Sequence, residues 1–297
     1  MSSSRAVFDL HSKETKKNIL YVGAAVALLT PFTDTIYLPA LSSIRNSLSA
    51  SDSAVALTVS LYLAAVGIGQ VCFGPLADRF GRLRVIFGCL LVYEILTVAC
   101  IFSPTIQWLT ALRTLQGFCV SGTIVSAQAI ISDIYEEEER GVAMGIFLAP
   151  MLIGPIIAPL CGGILSDTFT WRSTFVLLAI MAVPIFLATA LIVPETQHWH
   201  VAQRLKKLAV ADEEAVIPVD EIEQPTLLMP WESLYLLFDY KLTMYYLLGG
   251  STFASMFTSL TILPLYLTIA PYNLSAGIVG TTYLPIGVAM LIGSLVG

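Results

Sequence analysis

Three ionisable side chains, Asp34, Glu94 and Arg113, stand alone inside long apolar stretches of the chain. A charge in hydrocarbon costs at least a few kcal/mol, so each must face protein or a wet cavity. Desolvation makes a carboxyl group keep its proton, and a nearby guanidinium makes it give the proton up. A carboxylate between those influences can load and unload a proton as its surroundings change. Asp34 is the first candidate for that work; the alternative is a capping or helix-bending residue beside Pro39. Arg113 is either its counter-charge or a fixed hydrogen-bonding post to backbone carbonyls and Gln116. Glu94 is either a second protonation site or a counter-charge for cationic substrates, or else a local packing or lipid-interface feature.

Long apolar elements must position these groups. Hydrophobic residues make up 56% of the 297 residues and charged ones 12%. A soluble domain carries about 25% charged residues, so this chain cannot coat itself for water. Intrinsic disorder and a secreted disulfide scaffold are excluded, and a net charge of −6 offers no footprint for nucleic acid. Crossing a hydrocarbon core of about 30 Å takes roughly 20 residues. Eight such stretches are read at 18–40, 54–77, 85–104, 106–132, 141–165, 173–194, 242–270 and 275–297. At 1.5 Å per residue, Asp34 lies about 9 Å, Arg113 about 11 Å and Glu94 about 15 Å from the outer ends of their spans.

A charged segment from Glu195 to Lys241 separates spans six and seven and leaves room for a short amphipathic helix at 199–209. With the N-terminus inside, the cytoplasmic segments hold Arg5, Lys13, Lys16, Lys17, Arg79, Arg82, Arg84, Arg140, Arg204, Lys206, Lys207 and Lys241. The opposite side holds only Arg45 and Arg172, which is the bias expected of an inside-positive topology. Cys72, Cys89, Cys100, Cys119 and Cys161 all lie in apolar stretches and read as small hydrophobes. Catalysis finds no nucleophile–base pair, phosphate loop or metal cluster; His198-Trp-His200 supplies two metal ligands without a third. Asn273-Leu-Ser275 is a glycosylation sequon close to the membrane. Tyr245, Tyr246, Phe253, Met256, Phe257 and Tyr266 suit either an adaptable apolar pocket or a lipid-facing surface.

Short motifs punctuate the spans. Between spans two and three stands Gly74-Pro-Leu-Ala-Asp78-Arg79-Phe-Gly81-Arg82-Leu-Arg84, where Gly81 can take a positive φ and Gly74 allows close helix approach. The stretch resembles the loop 2–3 signature of the major facilitator superfamily, with Leu83 where a second basic residue is usual. Arg113-Thr-Leu-Gln116-Gly117 looks like the R-x-x-Q-G motif of the same family. Gly145, Gly154, Ala158, Pro159, Gly162 and Gly163 resemble its span-five antiporter signature, with Ala158 replacing one glycine. Thr33-Asp34-Thr35 through Leu41 and Pro194-Glu195-Thr196 are similar to segments of its twelve-span drug:proton antiporters.

That resemblance implies an all-α transmembrane bundle: a complete N-terminal six-helix half and the first two helices of the second half. It divides the chain into a cytoplasmic tail (1–17), the first bundle (18–194), a cytoplasmic linker (195–241) and the start of the second bundle (242–297). It implies export of drugs, polyamines or other small organic compounds against protons, with the proton gradient as energy source and no cofactor. Asp34 and Arg113 then face the cavity, and Asp78, Arg79, Arg82 and Asp133 latch a cytoplasmic gate or, alternatively, serve only as a topogenic charge cluster. The plasma membrane is the expected site, with the vacuolar membrane as alternative. An uptake symporter or facilitator, or a truncated protein acting through a partner, are the competing functions. Eight spans would leave cavity-facing residues against lipid, so the expectation is a piece of a longer chain.

Overall fold

The structure, a computed structural model, describes residues 12–196 and 240–285. The sites at His198 and His200, the helix expected at 199–209, the end of the eighth span and the side chains of Tyr245, Tyr246, Phe253, Met256 and Phe257 lie outside the described residues.

A backbone in lipid must satisfy its own polar groups, and a helix does so within one segment. All regular structure among the described residues is helical. Helix α1 runs Lys13–Thr35; after a 3-10 turn at Leu38–Ala40 the chain continues in α2, Leu41–Ser47. Then come α3 (Asp52–Phe80), α4 (Arg82–Ile101), α5 (Ile106–Ile134), α6 (Glu137–Thr168), α7 (Arg172–Ile192), α8 (Tyr240–Leu267) and α9 (Ala276–Thr281). Six helical stretches among the described residues are long and apolar enough to cross a bilayer, the first running Lys13–Ser47.

Local chemistry sets the ends. Ser51, Thr105 and Ser275 cap α3, α5 and α9 by accepting from Ala54, Trp108 and Ile278 backbone N–H groups. Gly81, at φ 99°, turns α3 into α4 with no intervening loop. Acidic Glu137, Glu138 and Glu139 occupy the first turn of α6, where the helix dipole favours negative charge. The first span breaks at Ile36–Tyr37, just before Pro39, whose missing N–H cannot extend the α-helical ladder.

That break corrects the depth estimates. The first span extends to Ser47 rather than about 40, so Asp34 lies deeper than its sequence position implied. Helix α4 ends at Ile101, which leaves Glu94 nearer its helix end than expected.

Helix α1 is central, packed against α5, α6 and α7, and α3 lies along α5. Close approach is made by small residues. A Cβ at Gly117 of α5 would sit 2.6 Å from the Tyr62 carbonyl oxygen of α3, and one at Gly162 of α6 would collide with the Ile36 carbonyl. Two apolar clusters fill the interior: one around Val26, Leu90, Ile131 and Phe147, the other around Ile36, Val59, Trp171 and Phe175. Outward faces remain apolar too, with Ile95, Ile180, Leu187 and Leu191 exposed, as a lipid-facing surface requires.

Candidate functional site: a buried carboxylate–tyrosine–arginine cluster

Arg113, on the second turn of α5, is fully buried. Its guanidinium carbon lies 3.9 Å from the centre of the Tyr62 ring and 4.3 Å from that of Tyr37. Aromatic faces attract a cation, and more strongly where water is absent. Its Nη1 donates to Gln116 Oε1 at 2.7 Å, and Gln116 Nε2 donates to Thr97 Oγ1 of α4 at 2.7 Å. Asp34 lies at the end of α1, and the Tyr62 hydroxyl donates to its Oδ1. Beside it, Thr33 shares a 2.6 Å hydrogen bond with Tyr93 of α4. Four helices thus converge on one buried polar cluster.

Asp34 and Arg113 therefore share a neighbour, Tyr62, and no ion pair joins them among the described residues. Of the partners that the hydrogen-bonding reading gave the arginine, backbone carbonyls and Gln116, the structure places the side-chain oxygen of Gln116 against it. Glu94 stands apart. It flanks the buried face of α4, and its Oε2 is buried without a hydrogen-bond partner. No hydrogen bond or ion pair ties it to Asp34 or Arg113 among the described residues.

At the basic end, Arg82 forms an ion pair with Asp133 at the end of α5 and a second with Asp78 at 3.3 Å. It also donates to the Ala129 carbonyl at 2.7 Å. Glu195 reaches the start of α4, its two oxygens accepting from Arg82 N at 2.9 Å and Leu83 N at 3.3 Å. Thr196 donates to Asp133 at 2.9 Å. The Pro194-Glu195-Thr196 segment thus pins α4 and α5 together. Leu83 is half-buried against the apolar core, while Arg79 and Arg84 are exposed. Gly74 departs from expectation: a Cβ there would meet nothing within 4 Å, because no helix among the described residues packs on that face.

The span-five motif is a seam with two sides. Gly154 packs on Pro31 and Gly162 on Ile36, both in the first span, while Gly163 faces Ala276 and Gly277 of α9. Ala158 is fully buried, and the Pro159 carbonyl lies against Gly280. Gly145, like Gly74, faces open space. Near the same end Asp167 accepts from Ala276 N at 3.0 Å and Gly277 N at 2.6 Å, and Ser42 hydrogen-bonds Thr268. A polar recess of about 580 Å³ lies beside these contacts, lined by Ser42, Arg45, Asn46, Asp167 and Thr268 among others.

Tyr62, Tyr93 and Thr97 were not singled out from the sequence, and Tyr37 stood there only within the first-span motif. No spacing marks them: Tyr62 is 28 positions from the carboxylate it meets.

The sequence profile of the Major Facilitator Superfamily matches residues 23–297. The chain is 29% identical over 295 residues to MFS transporter fsa7 of Fusarium sp. (strain FN080326), covering 96% of this chain and 58% of that protein. It is 33% identical over 190 residues to MFS antiporter QDR3 of Candida albicans, covering 63% of this chain and 27% of that protein. The chain thus spans well under two thirds of the length of these relatives. Among solved structures, a bacterial homologue of the human lysosomal transporter Spinster, inward-facing and unoccupied, superposes with a TM-score of 0.73 at 19% identity. That match covers 96% of this chain and 62% of that one, and it shows a shared helical-bundle fold.

Proposed function

Because the chain belongs to the Major Facilitator Superfamily, whose members are multi-pass membrane transporters, we propose that it serves proton-coupled export of small organic compounds by alternating access. Asp34 carries the proton, Tyr62 holds its carboxyl group in place, and Arg113 supplies the nearby positive charge. Support comes above all from the Asp34–Tyr62–Arg113 contact: an acid, its hydrogen-bond donor and a cation lie together, and the two charges are not locked into an ion pair. A carboxylate so placed can change protonation when the surrounding helices shift. The resemblance of the α6 glycine–proline seam to the antiporter signature favours exchange over uptake. Arg82, Asp78, Asp133 and Glu195 act as the cytoplasmic latch, Arg79 belongs to the same gate motif, and Glu94 takes a secondary protonation role. The basic end faces the cytoplasm, as the inside-positive bias has it, and the proposed setting is the plasma membrane, with the vacuolar membrane as alternative.

The test uses protein reconstituted in liposomes with a trapped pH-sensitive dye. Ethidium and citrate, one cation and one anion, are added in turn as transport probes. Substrate-triggered proton movement in the wild type, lost in Asp34→Asn with unchanged insertion, is the expected result. Undiminished proton movement in Asp34→Asn removes Asp34 from the mechanism. A response to ethidium alone assigns cations as the substrate class.

A further inference from the structure

The hydrogen bonds that run from Arg113 into α4 have a fixed direction. A guanidinium only donates, so Gln116 must present its carbonyl oxygen to Arg113, and Nη1 meets Oε1 at 2.7 Å. The amide nitrogen of Gln116 is thereby turned the other way and needs an acceptor. Thr97 Oγ1 receives it at 2.7 Å, and the Thr97 hydroxyl proton is spent on the Tyr93 carbonyl, one turn earlier, also at 2.7 Å. What Thr97 offers to Gln116 is therefore a lone pair. Read from either end, the chain of donors and acceptors has one consistent polarity.

Helix α4 also grips the other partner. Thr33 donates to its own helix at Leu29 O, so the 2.6 Å contact with Tyr93 is donated by the tyrosine hydroxyl. Thr33 immediately precedes Asp34. One turn of α4 thus fixes the backbone beside the carboxylate through Tyr93 and the orientation of the arginine's acceptor through Thr97. All five side chains, Thr33, Tyr93, Thr97, Arg113 and Gln116, are fully buried, so water offers no substitute.

We propose that Thr97, with Tyr93, is a positioning residue for the proton-coupling pair: it orients Gln116 so that Arg113 stays engaged there instead of closing onto Asp34. Without the Thr97 lone pair the buried Gln116 NH2 group has no acceptor where it stands, and the side chain must leave that rotamer to find one, which carries Oε1 away from the guanidinium. Arg113, left without that acceptor, has in Asp34 the carboxylate that shares its neighbour Tyr62. The inference rests on the reading of Asp34 as proton carrier. The groups bearing on Asp34 are Tyr62 of α3 and Arg113 of α5, with Tyr93 of α4 beside it through Thr33; the charged residues of α6 and α7 among the described residues are not among them.

Dicyclohexylcarbodiimide, which reacts with protonated carboxyl groups in apolar surroundings, reads the state of Asp34. The reaction is followed in native membranes across a pH series, by mass spectrometry of the Asp34-bearing peptide. Thr97→Val is expected to move the midpoint of that profile to lower pH by about one unit or more, because a guanidinium closing onto Asp34 favours the charged carboxylate, and a shift to higher pH overturns the proposal. Thr97→Ser, which keeps the lone pair, is expected to match the wild type. Gln116→Leu should reproduce the Thr97→Val profile, and the double variant should add nothing, as for residues acting in one chain. A Thr97→Val midpoint equal to wild type, with Asp34 still labelled in a pH-dependent way, overturns the positioning role and leaves the proton carrier standing. Labelling of wild-type Asp34 that ignores pH overturns both. Should Thr97→Val fail to insert, Gln116→Leu and Thr97→Ser decide the matter through the same profile.

Discussion

Tyr62 touches both charges of the buried cluster: its hydroxyl donates to Asp34 while its ring lies 3.9 Å from the Arg113 guanidinium carbon. The two contacts use different parts of the side chain and can be separated. Tyr62→Phe keeps the ring and loses the hydroxyl, at an expected cost of about 1 kcal/mol or somewhat more. Tyr62→Ala loses both and leaves a void, for about 3–5 kcal/mol. Thermal unfolding in detergent measures both, and equal midpoints for the two variants would dismiss the ring–guanidinium contact.

Glycines in the motifs should differ sharply in tolerance. Gly117→Ala must push the added carbon against the Tyr62 carbonyl oxygen, and overpacking of this kind costs about 1–3 kcal/mol. Gly81→Ala is strained by its φ of 99°. Gly74→Ala and Gly145→Ala meet nothing within 4 Å and should leave the thermal midpoint of this chain unchanged. A ranking in which Gly74→Ala falls beside Gly117→Ala would contradict the packing described here.

Glu195 supplies the two acceptors for the first free N–H groups of α4. Glu195→Ala should destabilise the protein by about 0.5–2 kcal/mol, the range for lost helix caps. Glu195→Gln, with one oxygen left, should fall between. Hydrogen exchange localises the effect: protection should drop in the first turn of α4 while the centre of α5 holds.

Asp167 joins α6 to the backbone of α9. Asp167→Ala removes both hydrogen bonds and should loosen that end of the molecule. In a Ser166→Cys background, a thiol placed at the polar recess should react several-fold faster with a membrane-impermeant maleimide once Asp167 is replaced, a factor of about 10 corresponding to 1.4 kcal/mol. An unchanged rate would show that the glycine seam alone holds the two parts together.

Much of this was legible in the residues themselves. Charges such as Asp34 and Arg113 are conspicuous in apolar spans because burying them is costly, and the turn at Gly81 was readable from its type and place. Tyr62 and Thr97 were not. A tyrosine in a span is at home at an interface or in a core, and a threonine there ordinarily bonds back to its own helix, as Thr97 does at Tyr93. Their significance lies in meeting partners on other helices, which one-dimensional spacing does not encode. Glu94 attracted weight by charge alone, while Leu83, where a basic residue was expected, proved to be a core contact. The role of Glu195 was hidden because a carboxylate bonding to backbone amides needs no matching residue.

The same property has a wider consequence at Asp167. Its partners are the amide nitrogens of Ala276 and Gly277, which every residue but proline supplies. Evolution can therefore rewrite the side chain at 276 without disturbing this contact. Methods that infer proximity from paired substitutions would find no compensating partner for Asp167, and a survey of such pairs would leave the junction between α6 and α9 blank at the place where the two are hydrogen-bonded.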